Sequence, residues 1–137
     1  TSVDPGGTAD TKGSYSQITA STSAVTQSLA LGFGLNMNSN PQNSIWAIDI
    51  ATGAGGAEVV LFPDLRMATI AQVSASTTPN PRSWGLLLTY IAASTRIAIR
   101  SSCLINDATD RLFDVIVYAG VAPSEPAGTS GGAWAYA

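Results

Sequence analysis

Large apolar residues alternate with small or polar ones along most of the chain, and this period of two marks strands rather than helices. Leu29, Leu31, Phe33 and Leu35 share one parity of the run 26–35, while Ser28, Ala30, Gly32 and Gly34 take the other. The same alternation places Trp46, Ile48 and Ile50 together in 45–52, and Trp84, Leu86, Leu88 and Tyr90 together further on. Ile97, Ile99, Cys103 and Ile105 follow, then Phe113, Val115 and Val117 in the run 112–121. A weaker, Ser- and Thr-rich run near 15–24 and a run from Arg66 to Ser74 read as further strands. Asn-, Pro- and Asp-rich segments at 36–43, 76–83 and 106–111 are turn chemistry. Seven or eight strands with no good helix predict an all-β fold, an antiparallel β-sandwich of jelly-roll kind.

The stretch DIATGAGGAEVVLFPDL (49–65) tests that reading, because Gly53, Gly55 and Gly56 after a strand imitate a dinucleotide-binding loop. Such a loop requires a third glycine where Glu58 stands, and then a helix. Here Val59, Val60 and Phe62 favour a strand, Pro63 would stop a helix early, and Glu58 would repel phosphate. The expected structure is a hairpin with residues 53–57 as its loop. In that register Thr52 lies opposite Glu58, Ile50 opposite Val60 and Ile48 opposite Phe62. Trp46, Ile48, Ile50, Val60 and Phe62 then form one apolar face.

Segments at the two ends differ from the centre. Residues 1–14 (TSVDPGGTADTKGS) contain one large aliphatic residue, Val3, and predict a flexible N-terminal arm. Residues 15–122 form the predicted sandwich domain, and 123–137 (PSEPAGTSGGAWAYA) a C-terminal arm ending in Trp134 and Tyr136. Two aromatics on such a segment leave two readings, a free end or an arm that orders itself by laying both rings into a groove on a neighbouring subunit or shell.

Composition narrows the function classes. Of 137 residues, 45% are hydrophobic and only 11% charged, so Ser, Thr, Asn, Gly and Ala must cover the surface. That suits a protein packed against neighbours. A net charge of −3 with six basic residues argues against nucleic acid. No apolar run approaches the roughly 18 residues of a membrane span, and no signal peptide is expected. Histidine is absent, which removes Ser-His-Asp and Cys-His catalysis and the commonest zinc ligand. The single cysteine, Cys103, reads as a small buried hydrophobe.

The remaining candidates have bland explanations. Asn106, Asp107 and Asp110 could offer oxygens to calcium but lack the regular alternation of an EF-hand loop, and Asx residues cap turns. Asp49 and Glu58 as a glycosidase pair would fall on opposite faces of the hairpin. Arg96 and Arg100 share a strand face roughly 13 Å apart. They suit either a solvated surface or a subunit contact made through their forked guanidinium groups. Trp46 and Trp84 belong on core faces, with Trp84 the alternative platform for a sugar ring. No constellation supports catalysis, and no cofactor or metal is expected.

Three stretches together carry a resemblance: SYSQITASTS (14–23), DIATGAGGAEVVLFPDL (49–65) and YIAASTRIAIRSS (90–102). They resemble small structural proteins of tailed bacteriophages. Those proteins have an early ia-ST-s stretch, a central DI-x-x-GA-gg-E-x-v-l-(i/f)-P-x-L hairpin, and a late i-(p/a)-a-g-T-R-I-A-x-R strand. The order matches, over most of residues 14–120. Ala93 and Ser94 depart from the Pro-Ala-Gly type of approach to Thr95 and Arg96. The resemblance implies a virion component without catalytic residues, a β-sandwich on the capsid exterior or a fibre, assembled in the host cytoplasm. The expected function is a capsid decoration (cement) protein that clamps the assembled head. Its expected partners are further copies of itself, favouring a homotrimer, and the major capsid protein. Arg96, Arg100, Trp134 and Tyr136 are the expected contact residues. The alternative is a receptor- or carbohydrate-binding module of a fibre.

Overall fold

The computed structural model of the chain describes residues 1–36, 44–69, 82–104 and 111–120. Seven strands form two antiparallel sheets: β1 (Ser16–Thr19), β2 (Thr26–Asn36), β3 (Ser44–Thr52), β4 (Val59–Thr69), β5 (Arg82–Ile91), β6 (Ile97–Cys103) and β7 (Arg111–Gly120). No helix occurs among the described residues, and so none is long and apolar enough to cross a membrane. One sheet has the order β1-β6-β3-β4 and the other β5-β2-β7. The all-β sandwich read from the period-two pattern is therefore present. The jelly-roll expectation is finer than this strand order establishes. Only β3 and β4 are sequential neighbours within a sheet; every other connection passes from one sheet to the other.

Each sheet contributes its large apolar parity to a common core. Leu29, Leu31 and Phe33 of β2, Ile91 of β5 and Val115 of β7 meet Trp46, Ile48 and Ile50 of β3 and Ile97, Ile99 and Cys103 of β6. Trp46, Ile48, Ile50, Leu29 and Ile99 are completely buried, and Cys103 is buried with them, as its parity requires.

The glycine-rich stretch is a hairpin turn, with Ala57 N donating to Ala54 O at 3.0 Å and left-handed φ at Gly53 and Gly56. A Cβ at Gly53 would lie 2.8 Å from Ala57 O, so both φ and space demand glycine there. The register differs from expectation. Thr52 pairs with Val59, Ala51 with Val60, Ile50 with Phe62 and Ile48 with Leu65, through two irregularities. Glu58 leaves the ladder because its carboxylate accepts from Gly56 N at 3.0 Å. Pro63 does not end the strand; it has no N–H for the ladder, and β4 bulges past it as an edge strand. The shift leaves Phe62 half-buried against the core and Val60 37% exposed, so Val60 is not a core residue.

Residues 1–14, expected as a flexible arm, lie along the sandwich. Val3 and Pro5 are fully buried. Asp10 N donates to Cys103 O and Gly13 N to Ser101 O, extending the antiparallel pairing of β1 along the edge of β6. Thr1 O accepts from Val115 N on the other sheet. A Cβ at Gly13 would fall 2.3 Å from Asp4 O, so the segment closes on itself only with glycine there. Buried Val3 and Pro5, main-chain bonds and the Lys12 ion pairs hold it, and pairings of this kind do not register in composition. The predicted C-terminal arm (123–137), with Trp134 and Tyr136, lies outside the described residues.

Candidate functional site

The polar residues of the sequence converge on the outward side of the four-stranded sheet. Its two central strands put small residues around one charge each: Ala47, Asp49 and Ala51 on β3 face Ser102, Arg100 and Ala98 on β6. Asp49 is 3% exposed, and an isolated carboxylate there would be costly. It is fully partnered instead. Lys12 Nζ donates to Oδ1 at 2.6 Å, Arg100 Nε to Oδ2 at 2.8 Å, and the Asp64 main-chain N–H to Oδ1 at 2.9 Å. Asp64 adopts a left-handed φ of 50° just after Pro63, and this bulge aims its N–H inward. Lys12 also bridges the exposed Asp64 carboxylate at 3.0 Å, and the Arg100 guanidinium stacks 4.6 Å over the Tyr15 ring.

A second clasp lies along the same seam. Arg96 donates through Nη1 to Glu58 Oε1 and to Gly53 O, both at 3.0 Å, and through Nε to Gln17 Oε1 at 3.1 Å. At its end, Thr22 ties the β1–β2 connection to the β5–β6 connection. Its hydroxyl donates to Ala92 O at 2.9 Å and accepts from Thr95 N at 3.1 Å, while its carbonyl accepts from Ser94 N at 2.8 Å.

Electrostatics fix the charge states. Burial alone would raise the Asp49 pKa, but the bonds from Asp64 N, Lys12 and Arg100 outweigh it and hold the carboxyl below its ordinary value. Desolvation likewise opposes ionisation of Glu58, and main-chain N–H groups with Arg96 reverse the balance downward. Burial works against the Arg100 charge, yet the Asp49 bond keeps its pKa above the ordinary value. Lys12, Arg96 and Arg100 balance Asp49, Asp64 and Glu58, so the seam sums to zero charge. Asp49 and Glu58 are thus both held below their ordinary values, so neither has the raised pKa of a general acid. This arrangement fastens strands together.

The sequence paired Arg96 with Arg100 as a subunit contact; both are engaged within the chain. It separated Asp49 and Glu58 onto opposite hairpin faces. The observed register and the departure of Glu58 from the ladder bring both carboxylates to arginines of the 96–100 run. Sequence reading missed Lys12, Tyr15 and Asp64 as partners. The Asp107 and Asp110 turn lies outside the described residues, as does the side chain of Trp84. A cleft of about 500 Å³ opens between β1 and β7, lined by residues that include Ile18, Thr26, Ile97, Val115 and Val117. Among the described residues no ionisable side chain lines it. Comparison of the chain with family models, curated proteins and solved structures returned no match.

Ser94 carries a further mark of this seam. Its φ is 62°, a left-handed conformation that a Cβ disfavours by about 1–2 kcal/mol. It occupies the position that glycine fills in the phage pattern. Ser94→Gly should therefore stabilise the domain by about 0.5–1 kcal/mol, after allowing for glycine's greater freedom when unfolded. A thermal melt of the two proteins checks it; an unchanged or lower Tm would mean that the strain is already relieved.

Proposed function

We propose that the chain is a non-enzymatic structural protein of a bacteriophage virion, a decoration (cement) subunit that binds the assembled head and stabilises it. One observation carries the reading. The three stretches of the resemblance supply most of a single sheet, β1-β6-β3-β4, and their polar residues are one another's partners: Asp49 with Arg100, Glu58 and Gly53 with Arg96. In this chain the charges of those stretches hold strands together instead of a ligand. A neutral polar seam and a charge-poor surface fit a protein whose work is packing. Stabilisation of the shell then follows by linkage, because a subunit that binds only the assembled state favours that state by mass action.

The fibre-module alternative draws on Tyr90 and Tyr118, which are 70% and 61% exposed and could stack sugar rings. Quantifying the protein against the shell subunit in purified particles separates the two. Decoration predicts a fixed stoichiometry with the shell subunit, together with rebinding to particles stripped of the protein and recovery of their heat resistance. A few copies per particle, confined to the tail or fibres, would replace decoration by the fibre reading.

A further inference from the structure

The two outward sheet faces differ in kind. The four-stranded sheet carries every described ion pair, whereas the outward side of β5-β2-β7 presents Leu88 (75% exposed), Tyr90 (70%), Ile116 (49%) and Tyr118 (61%). Leu88 and Tyr90 form a ridge on β5, and Ile116 and Tyr118 a ridge on β7. The strand between them is small: Ser28 pairs with Leu88, Ala30 with Tyr118 and Gly32 with Ile116. A Cβ at Gly32 would lie 3.7 Å from the Tyr118 ring, so the aromatic leans over the floor of the trough.

We infer that this face is the surface through which two copies of the chain associate. The relief is self-complementary. Its ridges stand two strand spacings apart, roughly 10 Å, with a trough between them. A copy turned about a two-fold axis and offset by one strand sets a ridge of each subunit into the trough of the other, at the usual spacing of packed sheets. The extent is sufficient. Two tyrosines and two aliphatic side chains present on the order of 500 Å² per subunit, at the upper end for a monomer's largest apolar patch. Doubling it reaches the roughly 1,000 Å² total of a specific interface before the floor of β2 is added. The chemistry favours self over a charged partner, because none of the described exposed side chains on this face is charged. A face that packs on its own copy about a two-fold axis closes at two subunits, in place of the ring of three expected from the sequence. The contact residues accordingly move from Arg96 and Arg100 to the opposite sheet. The inference does not depend on the virion reading.

Sedimentation equilibrium of the 137-residue chain over a wide concentration range tests it. The expected result is a dimer whose dissociation constant rises about thirty-fold or more in Leu88→Glu and in Tyr118→Glu, both at exposed positions that leave the circular dichroism unchanged. If either variant misfolds, nitration of the wild-type protein replaces it. Tyr90 and Tyr118 should then become less reactive as concentration rises through the association range, with Tyr15 as internal reference. A monomer at every concentration, a trimer, or a dimer indifferent to both substitutions and to tyrosine protection would overturn the assignment.

Discussion

Trp46→Ala should destabilise the domain by about 3–5 kcal/mol, the largest effect of any single truncation among the described core residues. Trp46 is the bulkiest of the completely buried side chains, on β3, and Ile48 and Ile50 continue its face. Directly beside it, its ladder neighbours are Met67 on β4 and Cys103 on β6, so strands on both flanks would border the void. β3 is also an interior strand of its sheet, where neighbours are held by hydrogen bonds on both sides and have little room to collapse. Phe62→Ala should cost less, about 1–2 kcal/mol, because the ring is only partly buried against the core. Val60→Ala should cost less again. Trp46→Phe separates shape from polarity: the indole Nε1 is buried with no hydrogen-bond partner among the described residues. Removing that N–H offsets part of the lost volume, since a buried unsatisfied donor costs about 1–3 kcal/mol. Urea unfolding of the four variants gives the order, and a Phe62→Ala loss equal to that of Trp46→Ala would contradict the observed register.

The sequence reading put Val60 and Phe62 on one apolar face with Trp46, and the reason the structure separates them is local. The alternation of Trp46, Ile48 and Ile50 marks β3 unambiguously, because period-two burial is a property of the strand itself. Its pairing partner was less legible. Pro63 reads as a stop, and a bulge in its place depends on an acceptor, Asp49, that lies on a different strand. The segment 1–14 failed to register as packed for a similar reason. Main-chain bonds to Ser101, Cys103 and Val115 hold it, and main-chain bonds carry no residue signature. The polar seam did leave a trace: a lone charge flanked at the same parity by small residues, Ala47-Asp49-Ala51 and Ala98-Arg100-Ser102. Two such complementary triplets on different strands require each other, yet nothing in one chain says that β6 lies beside β3. The apolar face of β5-β2-β7 was half visible. Ser28, Ala30 and Gly32 were recognisably the small side of β2, but Leu88 and Tyr90 shared a parity with Trp84, which was placed on a core face. Irregular pairing of β2 with β5 between Thr26 and Ser28 and between Leu29 and Leu31 changes which parity faces inward along β5.

Replacing Asp49 by Asn should cost about 2–4 kcal/mol, the lower part of the range for breaking a buried ion pair, because Arg100 and Lys12 keep some contact with water. Their side chains are 32% and 19% exposed, against 5% for Asp49. The substitution preserves shape but turns an acceptor into a partial donor facing two cations, and it weakens the bond that holds the bulged Asp64 N–H. Asp64→Asn, by contrast, should change stability by less than about 1 kcal/mol, since that carboxylate is 56% exposed and only supplements Asp49 on Lys12. Acid should distinguish the two further. The Asp49 carboxyl in the folded protein titrates below the ordinary aspartate value of 3.8, so the folded state binds fewer protons than the unfolded chain in that range. Its contribution to stability is therefore fully present above about pH 4 and fades as the pH falls through the depressed value. Glu58 acts in the same direction from its own ordinary value of 4.5. Wild-type protein should accordingly lose stability on acidification, and Asp49→Asn should lose less from a lower starting point, with the two curves converging at acid pH. The gap between their urea midpoints, followed from pH 7 to pH 2, measures the seam directly. A gap that stayed constant across that range would mean that Asp49 contributes through packing alone and that Lys12 and Arg100 gain nothing from its charge.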